Sequence, residues 1–270
     1  ALPYDVYNRK EACAAVAGNP LSFLNIDRPE TQFPDDVDTY DGRVYDKARE
    51  LLDGRIADGT FVEDRQECYY IYRLTMDGRA QTGIVACCSI DDYVDGVIKK
   101  HENTREDKEI DRIRHVDTTN AHTGPIFLAY RADRAVNQVV DEVTAGKPLY
   151  DFVSEDGIGH TVWKVEDTAQ NGRIEAAFAA IPATYIADGH HRAASAVKVG
   201  LKRREENPGY TGEEPFNYFL SVLFPDEELM ILPYNRVVKD LNGMDKEGFL
   251  EAVSGKFNVV ELGKEAFSPE

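Results

Sequence analysis

The 270-residue sequence lacks the features that identify several common classes of protein. It has only four cysteines and no C-x-x-C pair, which excludes a zinc ribbon and a thioredoxin-type motif. No apolar run approaches the length needed to span a bilayer, and no signal peptide is visible. We therefore expect a cytoplasmic protein whose cysteines are small core residues in a reducing compartment.

Basic residues are also scarce, since 31 lysines and arginines face 49 aspartates and glutamates and leave a net charge of −18. Such a field repels nucleic acids and anionic membrane surfaces, so we expect neither as a partner. A small molecule is the expected partner, and the sequence leaves the oligomeric state open. In so acidic a chain any basic cluster is informative, because an anionic ligand needs one.

Hydrophobic residues make up 42% of the chain, enough for a substantial core. The mixture of helix and strand patterns predicts an α/β or α+β fold, with a mixed β-sheet and flanking helices. A polar stretch at residues 117–124 suggests an N-terminal α/β region over 1–120 and a core over 121–270, with one continuous domain as the alternative. We expect the chain to be trimmed at both ends, because it starts without methionine and stops just after a helix-to-strand pattern.

Periodicity and capping residues predict the individual elements. The predicted helices cover residues 9–17, 40–57, 92–115 with a break allowed near Asn103, 132–145, 174–180, 190–199 ended by Gly200, and 246–254. The predicted strands cover residues 69–75, 82–90, 126–130, 161–165, 183–187, 218–224, 230–232 and 257–262.

The strongest motif is Asp188-Gly189-His190-His191-Arg192, where a predicted strand runs directly into a helix. Free N–H groups and the helix dipole favour an anion at a helix start, and Gly189 allows close approach of a ligand. Asp188 is predicted to cap the helix. Cations are unfavourable there unless an anion binds, so we predict a phosphate site in which Arg192 makes a two-point contact and otherwise faces solvent. The alternative is a capped helix with surface histidines and an exposed arginine.

A metal shared by His190 and His191 is disfavoured, because adjacent helical side chains point about 100° apart. Asp188 is instead the candidate ligand of Mg²⁺.

A second charged segment lies at residues 101–112. If it is helical, His101, Arg105, Lys108 and Arg112 share one stripe and offer a second surface for an anion, with Glu102 and Asp111 as candidate general bases. The alternative is a solvated helix with internal ion pairs, such as Arg105–Glu109. The segment does not match the H-E-x-x-H zinc signature, because Arg105 stands in place of the second histidine. Since one phosphate site needs both charged segments, we predict that they meet in space.

Two further residues are candidates for substrate binding. Tyr4 belongs to a compact polar-aromatic start, and Arg236 follows a predicted strand. A turn residue and a surface arginine are the alternatives.

These residues resemble those of the bacterial and archaeal domain-of-unknown-function family 1015. The resemblance rests on segments spread along nearly the whole chain, namely 2–6, 19–24, 82–83, 92–93, His101-Glu102-Asn103-Thr104, 108–112, 124–125 and Ile186-Ala187-Asp188-Gly189-His190-His191-Arg192. Two departures are Ala193-Ala194-Ser195, where the family shows an aromatic-acidic-threonine run, and Asn235, where it often has a histidine.

The Asp-Gly-His-His-Arg element of that family is similar to that of free-serine kinases with a ParB/sulfiredoxin-like fold. The resemblance implies such a core around residues 183–200 and phosphoryl transfer from ATP, ADP or pyrophosphate to the hydroxyl of a small molecule, with free L-serine as the candidate. Gly189, His190, His191 and Arg192 would then hold donor phosphates with His101, Arg105 and Lys108. Asp188 would position Mg²⁺ or the acceptor, and Glu102 would take the hydroxyl proton. The alternative is a nucleotide- or DNA-binding module of the ParB type without turnover.

Overall fold

The computed structural model of the protein describes residues 4–231 and 238–263. The chain forms two units, Ala1–Leu229 and Met230–Glu270. The division suggested at residue 120 falls inside the first unit. Strands from both sides of residue 120 pair there in one sheet, so the polar stretch at 117–124 connects elements of a single unit.

The first unit is built on a mixed sheet of eight strands, which confirms the predicted fold class. The strands are β1 (Tyr69–Met76), β2 (Arg79–Ser89), β3 (Ile98–Lys99), β4 (Ile126–Tyr130), β5 (Tyr150–Val153), β6 (Gly159–Val165), β7 (Thr184–Asp188) and β8 (Tyr218–Pro225). Their order across the sheet is β3-β7-β4-β8-β2-β1-β6-β5. The pairs β3/β7 and β4/β8 are parallel, and the other neighbours are antiparallel.

Short polar residues start most of the longer helices. The helices are α1 (Arg9–Val16), α2 (Leu24–Asp27), α3 (Gly42–Ala57), α4 (Ile90–Val94), α5 (Glu106–Thr119), α6 (Arg134–Thr144), α7 (Thr168–Ala180), α8 (His190–Glu206) and, in the second unit, α9 (Lys246–Ser254). Side chains cap α1, α3, α6, α7 and α9 by accepting a backbone N–H of the first turn. Within the described residues no helix is long and apolar enough to cross a membrane.

The core lies between the sheet and the helices packed on it. Its buried apolar residues come mainly from strands and from α6, α7 and α8, including Ile71, Ile84, Leu128, Tyr130, Val139, Ile174, Ile186, Ala193, Ala196 and Phe219. The small residues of α8 are buried, as the small-faced sequence of that helix predicts. Their size lets α8 approach both the sheet and α5 closely.

The prediction of a long helix over residues 92–115, with a break allowed near Asn103, is wrong because a strand and a loop separate two helices there. The helix α4 ends at Val94, Gly96 adopts a left-handed conformation with φ of +75°, and the short strand β3 follows. The next helix, α5, begins only at Glu106. His101 and Arg105 therefore lie in a loop and do not share a helical stripe with Lys108 and Arg112.

Three smaller expectations also fail. Gly200 lies inside α8, where it is buried and does not end the helix. Residues 257–262 are described and contain no strand, and no strand forms at Met230 or Ile231, the described part of the predicted strand 230–232. Cys87 is exposed, although Cys88 on the opposite face of β2 packs against the core.

Candidate functional site

The order of the strands brings residues that are distant in sequence to one edge of the sheet. Because β3 and β7 are parallel neighbours, the loop after β3 and the turn after β7 leave the sheet on the same side. The strand β4 runs antiparallel to β7, so Gly124 and Pro125, which precede β4, lie at that edge too. The two charged segments of the sequence therefore meet, which confirms that prediction.

The turn at residues 188–190 leads from β7 into the start of α8. The register between β4 and β7 shifts just before Asp188, which leaves Ala187 as a bulge. Gly189 follows in a left-handed conformation with φ of +94° and is the N-cap of α8, without a side-chain cap. Because the first N–H groups of a helix have no partner within it, this start is open to an anion. Asp188 still belongs to β7, so the prediction that it caps the helix is wrong.

Arg192 is held by its surroundings. Its guanidinium donates to the carboxylate of Asp188 at 2.7 Å and to the backbone oxygen of Pro125. The side chain lies across Gly189 and Gly124, where any Cβ would contact its terminal atoms. Only 22% of it is exposed, against 70% of the Asp188 side chain. The expectation that Arg192 faces solvent in the absence of ligand is therefore wrong, because two acceptors and two glycines position it.

The His190 ring faces the loop after β3. It lies edge-to-face with the ring of His101, with 4.4 Å between centroids. One potential ligand atom from each of His101, Glu102 and His190 lies within 4.8 Å of the others. His190 is buried and the other two are exposed. Burial, and next the neighbouring His101, lower the pKa of His190, while Glu102 opposes the shift.

His191 points in a different direction, as expected for adjacent helical residues. Its Nε2 accepts the backbone N–H of Arg105 at 3.0 Å, which fixes the far end of the loop after β3. His191 also lines a cavity of about 390 Å³ together with Arg105 and Lys108. This cavity, called the His191 cavity below, is large enough for a small molecule.

The His191 cavity is also lined by residues near the N-terminus and by further residues of α5. The buried Arg112 is paired with Asp111 at 2.9 Å and lies 4.2 Å above the centre of the Tyr4 ring. Asp111 also accepts the hydroxyl of Tyr45 at 2.9 Å. Burial raises the pKa of Asp27, which also lines the cavity, although a hydrogen bond with Thr123 opposes this. The lining of the His191 cavity thus includes an aromatic ring and side chains of both signs of charge.

An ion pair between the buried Glu109 of α5 and the exposed Lys198 of α8 was not predicted from the sequence. Glu109 accepts both the ammonium of Lys198 and the hydroxyl of Thr104, and only 8% of its side chain is exposed. Burial raises the pKa of Glu109, but these hydrogen bonds lower it by more, so the pKa lies below its usual value. Ion pairs within the 101–112 segment were the predicted alternative. A partner on another helix could not be identified from the spacing of charges.

The structure thus brings together most of the predicted site residues. Asp188, Gly189, His190, His191 and Arg192 form the turn, His101 and Glu102 contact it through His190, and Tyr4, Arg105 and Lys108 line the neighbouring cavity. The remaining candidate, Arg236, lies outside the described residues.

An uncapped helix start, a cluster of imidazoles and a polar cavity thus lie together at one edge of the mixed sheet of an α/β protein. The model of the family described as proteins of unknown function (DUF1015) matches residues 1–269, and the chain belongs to this family. No curated protein and no solved structure is detectably similar to it.

Proposed function

We propose that the protein is a cytoplasmic phosphotransferase that transfers a phosphoryl group to the hydroxyl of a small molecule, with free L-serine as the first candidate. The observation that carries the proposal is the open start of α8 beside the His191 cavity. Phosphoryl transfer depends mainly on positioning and charge neutralisation, and both can be supplied by such a site. All four cysteines are free thiols, which suits a reducing compartment.

The donor, which is ATP, ADP or pyrophosphate, would place its phosphates at the start of α8. The N–H groups of its first turn, with His191 and the rim residues Arg105 and Lys108, would neutralise them. Arg192 is already oriented by Asp188 and Pro125, so it would need little reordering to contact a phosphate. Asp188 would position Mg²⁺, because its side chain is largely exposed.

The acceptor would bind in the His191 cavity, where Tyr4 and Asp27 form part of the lining. Of the two candidate bases, Asp111 is engaged by Arg112 and Tyr45. Glu102 is exposed and lies beside His190, so Glu102 is the better candidate to take the proton of the acceptor.

The test is incubation of the protein with L-serine, Mg²⁺ and each donor in turn, followed by detection of phosphoserine. We expect product with one donor, and a large loss of turnover in Glu102→Gln with little change in donor affinity. Glu63→Gln changes an exposed glutamate elsewhere and should behave as the wild type. The absence of product with every donor would remove the serine proposal. DNA binding that survives physiological salt would favour the binding-module alternative.

A further inference from the structure

The six histidines of the chain fall into two groups by their contacts. A ring nitrogen in each of four of them lies within hydrogen-bond distance of a protein group. These are His115 with Ile26, His122 with Tyr218, His160 with Tyr72 and His191 with Arg105. The other two, His101 and His190, face each other beside Glu102. We call His101, Glu102 and His190 the His–Glu cluster.

One nitrogen of the His–Glu cluster lacks a hydrogen-bond partner among the described residues. His190 is 5% exposed, and its Nε2 is buried without a hydrogen-bond partner among the described residues. A buried polar atom of this kind costs free energy unless something binds it. Since the adjacent ring belongs to another potential ligand, an ion between them would satisfy this nitrogen.

The spacing of the cluster suits a single ion. Zinc and related metals bind nitrogen and oxygen ligands at roughly 2.0–2.2 Å, so two ligand atoms of one ion lie about 3–4 Å apart. The ligand atoms of the cluster already lie within 4.8 Å of one another. Small side-chain rotations would therefore complete the geometry.

The backbone around the cluster is held in place. His190 lies on the first turn of α8, whereas His101 and Glu102 follow β3 after Lys100. The bond from the N–H of Arg105 to His191 fixes the other end of that loop. The two neighbouring histidines thus have different contacts. His191 accepts a hydrogen bond from the loop, and His190 faces His101 and Glu102.

The donor set indicates which ion would bind. Two imidazoles and one carboxylate suit first-row transition metals, whereas Mg²⁺ prefers oxygen ligands. Three protein ligands leave at least one coordination position open. We propose that His101, Glu102 and His190 bind one first-row transition-metal dication, such as Zn²⁺, Mn²⁺ or Co²⁺, with a position left open to water or an anionic ligand.

This inference does not depend on phosphoryl transfer. It assigns Glu102 to the ion in place of the role of general base, and it is tested without a donor or an acceptor. The full chain is stripped of metal with a chelator, which is then removed, and titrated with Co²⁺ while its visible d–d absorption is recorded. We expect saturation at one equivalent, displacement by Zn²⁺, and binding of Mg²⁺ that is at least about tenfold weaker.

Variants assign the site. His101→Ala removes an exposed ligand, so folding should be retained, and we expect it to weaken Co²⁺ binding by more than about tenfold. Glu102→Gln should also weaken it, and far-UV circular dichroism confirms that each variant is folded. The control His160→Ala removes a histidine from β6 and should bind as the wild type does.

Three results would overturn the proposal: no saturable Co²⁺ binding by the wild type, equal binding by wild type and His101→Ala, or a loss in His160→Ala as large as that in His101→Ala. Serine phosphorylation is measured separately. A protein that binds Co²⁺ at the cluster but makes no phosphoserine would keep this inference and lose the proposed function. A protein that makes phosphoserine but does not bind Co²⁺ at the cluster would keep the proposed function and lose this inference.

Discussion

The two halves of the sheet bring residues together in different ways. In the half formed by β1, β2, β5 and β6, each strand runs antiparallel to its neighbours. In the half formed by β3, β7, β4 and β8, two of the three pairings are parallel. Parallel strands need long connections, so this second half gathers at one edge residues that are far apart in sequence.

The polar side chains of the two halves differ accordingly. In the antiparallel half they bind one another, since Tyr72 bonds to His160 at 2.7 Å and Arg73 lies 5.0 Å above the ring of Trp163. In the parallel half, α8 starts without a side-chain cap and Nε2 of His190 has no partner among the described residues. The polar groups of the first half are thus engaged within the fold, whereas some of those in the second half have no partner among the described residues.

The largest difference in the free energy of unfolding is expected between substitutions at two helical glycines. Gly200 of α8 lies so close to the backbone oxygen of Phe216 and to Ile90 that a Cβ would lie only 2.8 Å from Cδ1 of Ile90. We expect Gly200→Ala to lower the free energy of unfolding by about 3 kcal/mol. Gly172 of α7 has open space around it, so Gly172→Ala should raise stability by up to about 1 kcal/mol. Chemical denaturation measures both, and equal effects would show that α8 is no more tightly packed than α7.

Two glutamates give the next contrast. Glu109 is buried between Lys198 and Thr104, whereas Glu142 pairs with Arg173 at the surface of the antiparallel half. Glu109→Gln should lower the free energy of unfolding by about 2–3 kcal/mol, because hydrogen bonds to a buried charge are lost. Glu142→Gln should cost less than about 1 kcal/mol. Urea denaturation of both variants checks this, and a small loss for Glu109→Gln would mean that α5 and α8 do not depend on this ion pair.

In the antiparallel half the sequence predicts β1, β2 and β6, because local signals define these strands, but it does not predict the short exposed strand β5. The strands β1 and β2 are long, and the turn between them consists of Asp77 and Gly78, both with positive φ. The motif at 188–192 was found for a similar reason, since a strand, a glycine and a helix start follow one another directly in the sequence.

In the parallel half the sequence predicts β4, β7 and β8 but not β3 or the loop after it, because the signals for these two segments are not local. With only two residues, β3 is too short to show periodicity, and the charges of residues 101–115 fit one long helix as well as a loop followed by α5. A buried glycine inside a helix, such as Gly200, resembles a helix end until its contact with Phe216 is known. His101 and His190 face each other because β3 pairs with β7, and no spacing in the sequence specifies that pairing.

His115 should make the stability of the parallel half depend on pH. Burial, and next Arg112, lower its pKa to about 4, while its Nε2 lies 2.9 Å from the backbone oxygen of Ile26. The unfolded chain, with a pKa of about 6.5, takes up the proton first, so stability falls as pH drops from about 6.5 towards 4. Between pH 7 and 5 this histidine should account for a loss of about 2 kcal/mol.

The variant His115→Gln tests this pH dependence because glutamine does not titrate in this range. Unfolding free energies of both proteins are measured at pH 7 and pH 5, and the difference between the two pH values is compared. We expect a smaller decrease in the variant, whatever its stability at pH 7. An equal decrease in both proteins would assign the acid sensitivity to other groups.

Two exposed lysines give the smallest expected effect and test the site directly. Lys108 lines the His191 cavity, whereas Lys147 lies in the loop between α6 and β5. Each substitution by alanine removes one positive charge, so the change in net charge is the same. We expect Lys108→Ala to weaken pyrophosphate binding by about two- to fivefold in calorimetric titration, the scale of an exposed ion pair, and to reduce the salt dependence of binding. Lys147→Ala should leave the affinity within error of the wild type, because it lies on the half of the sheet whose polar groups bind one another. Equal losses in both variants would mean that pyrophosphate responds to the net charge of the protein and not to the cavity.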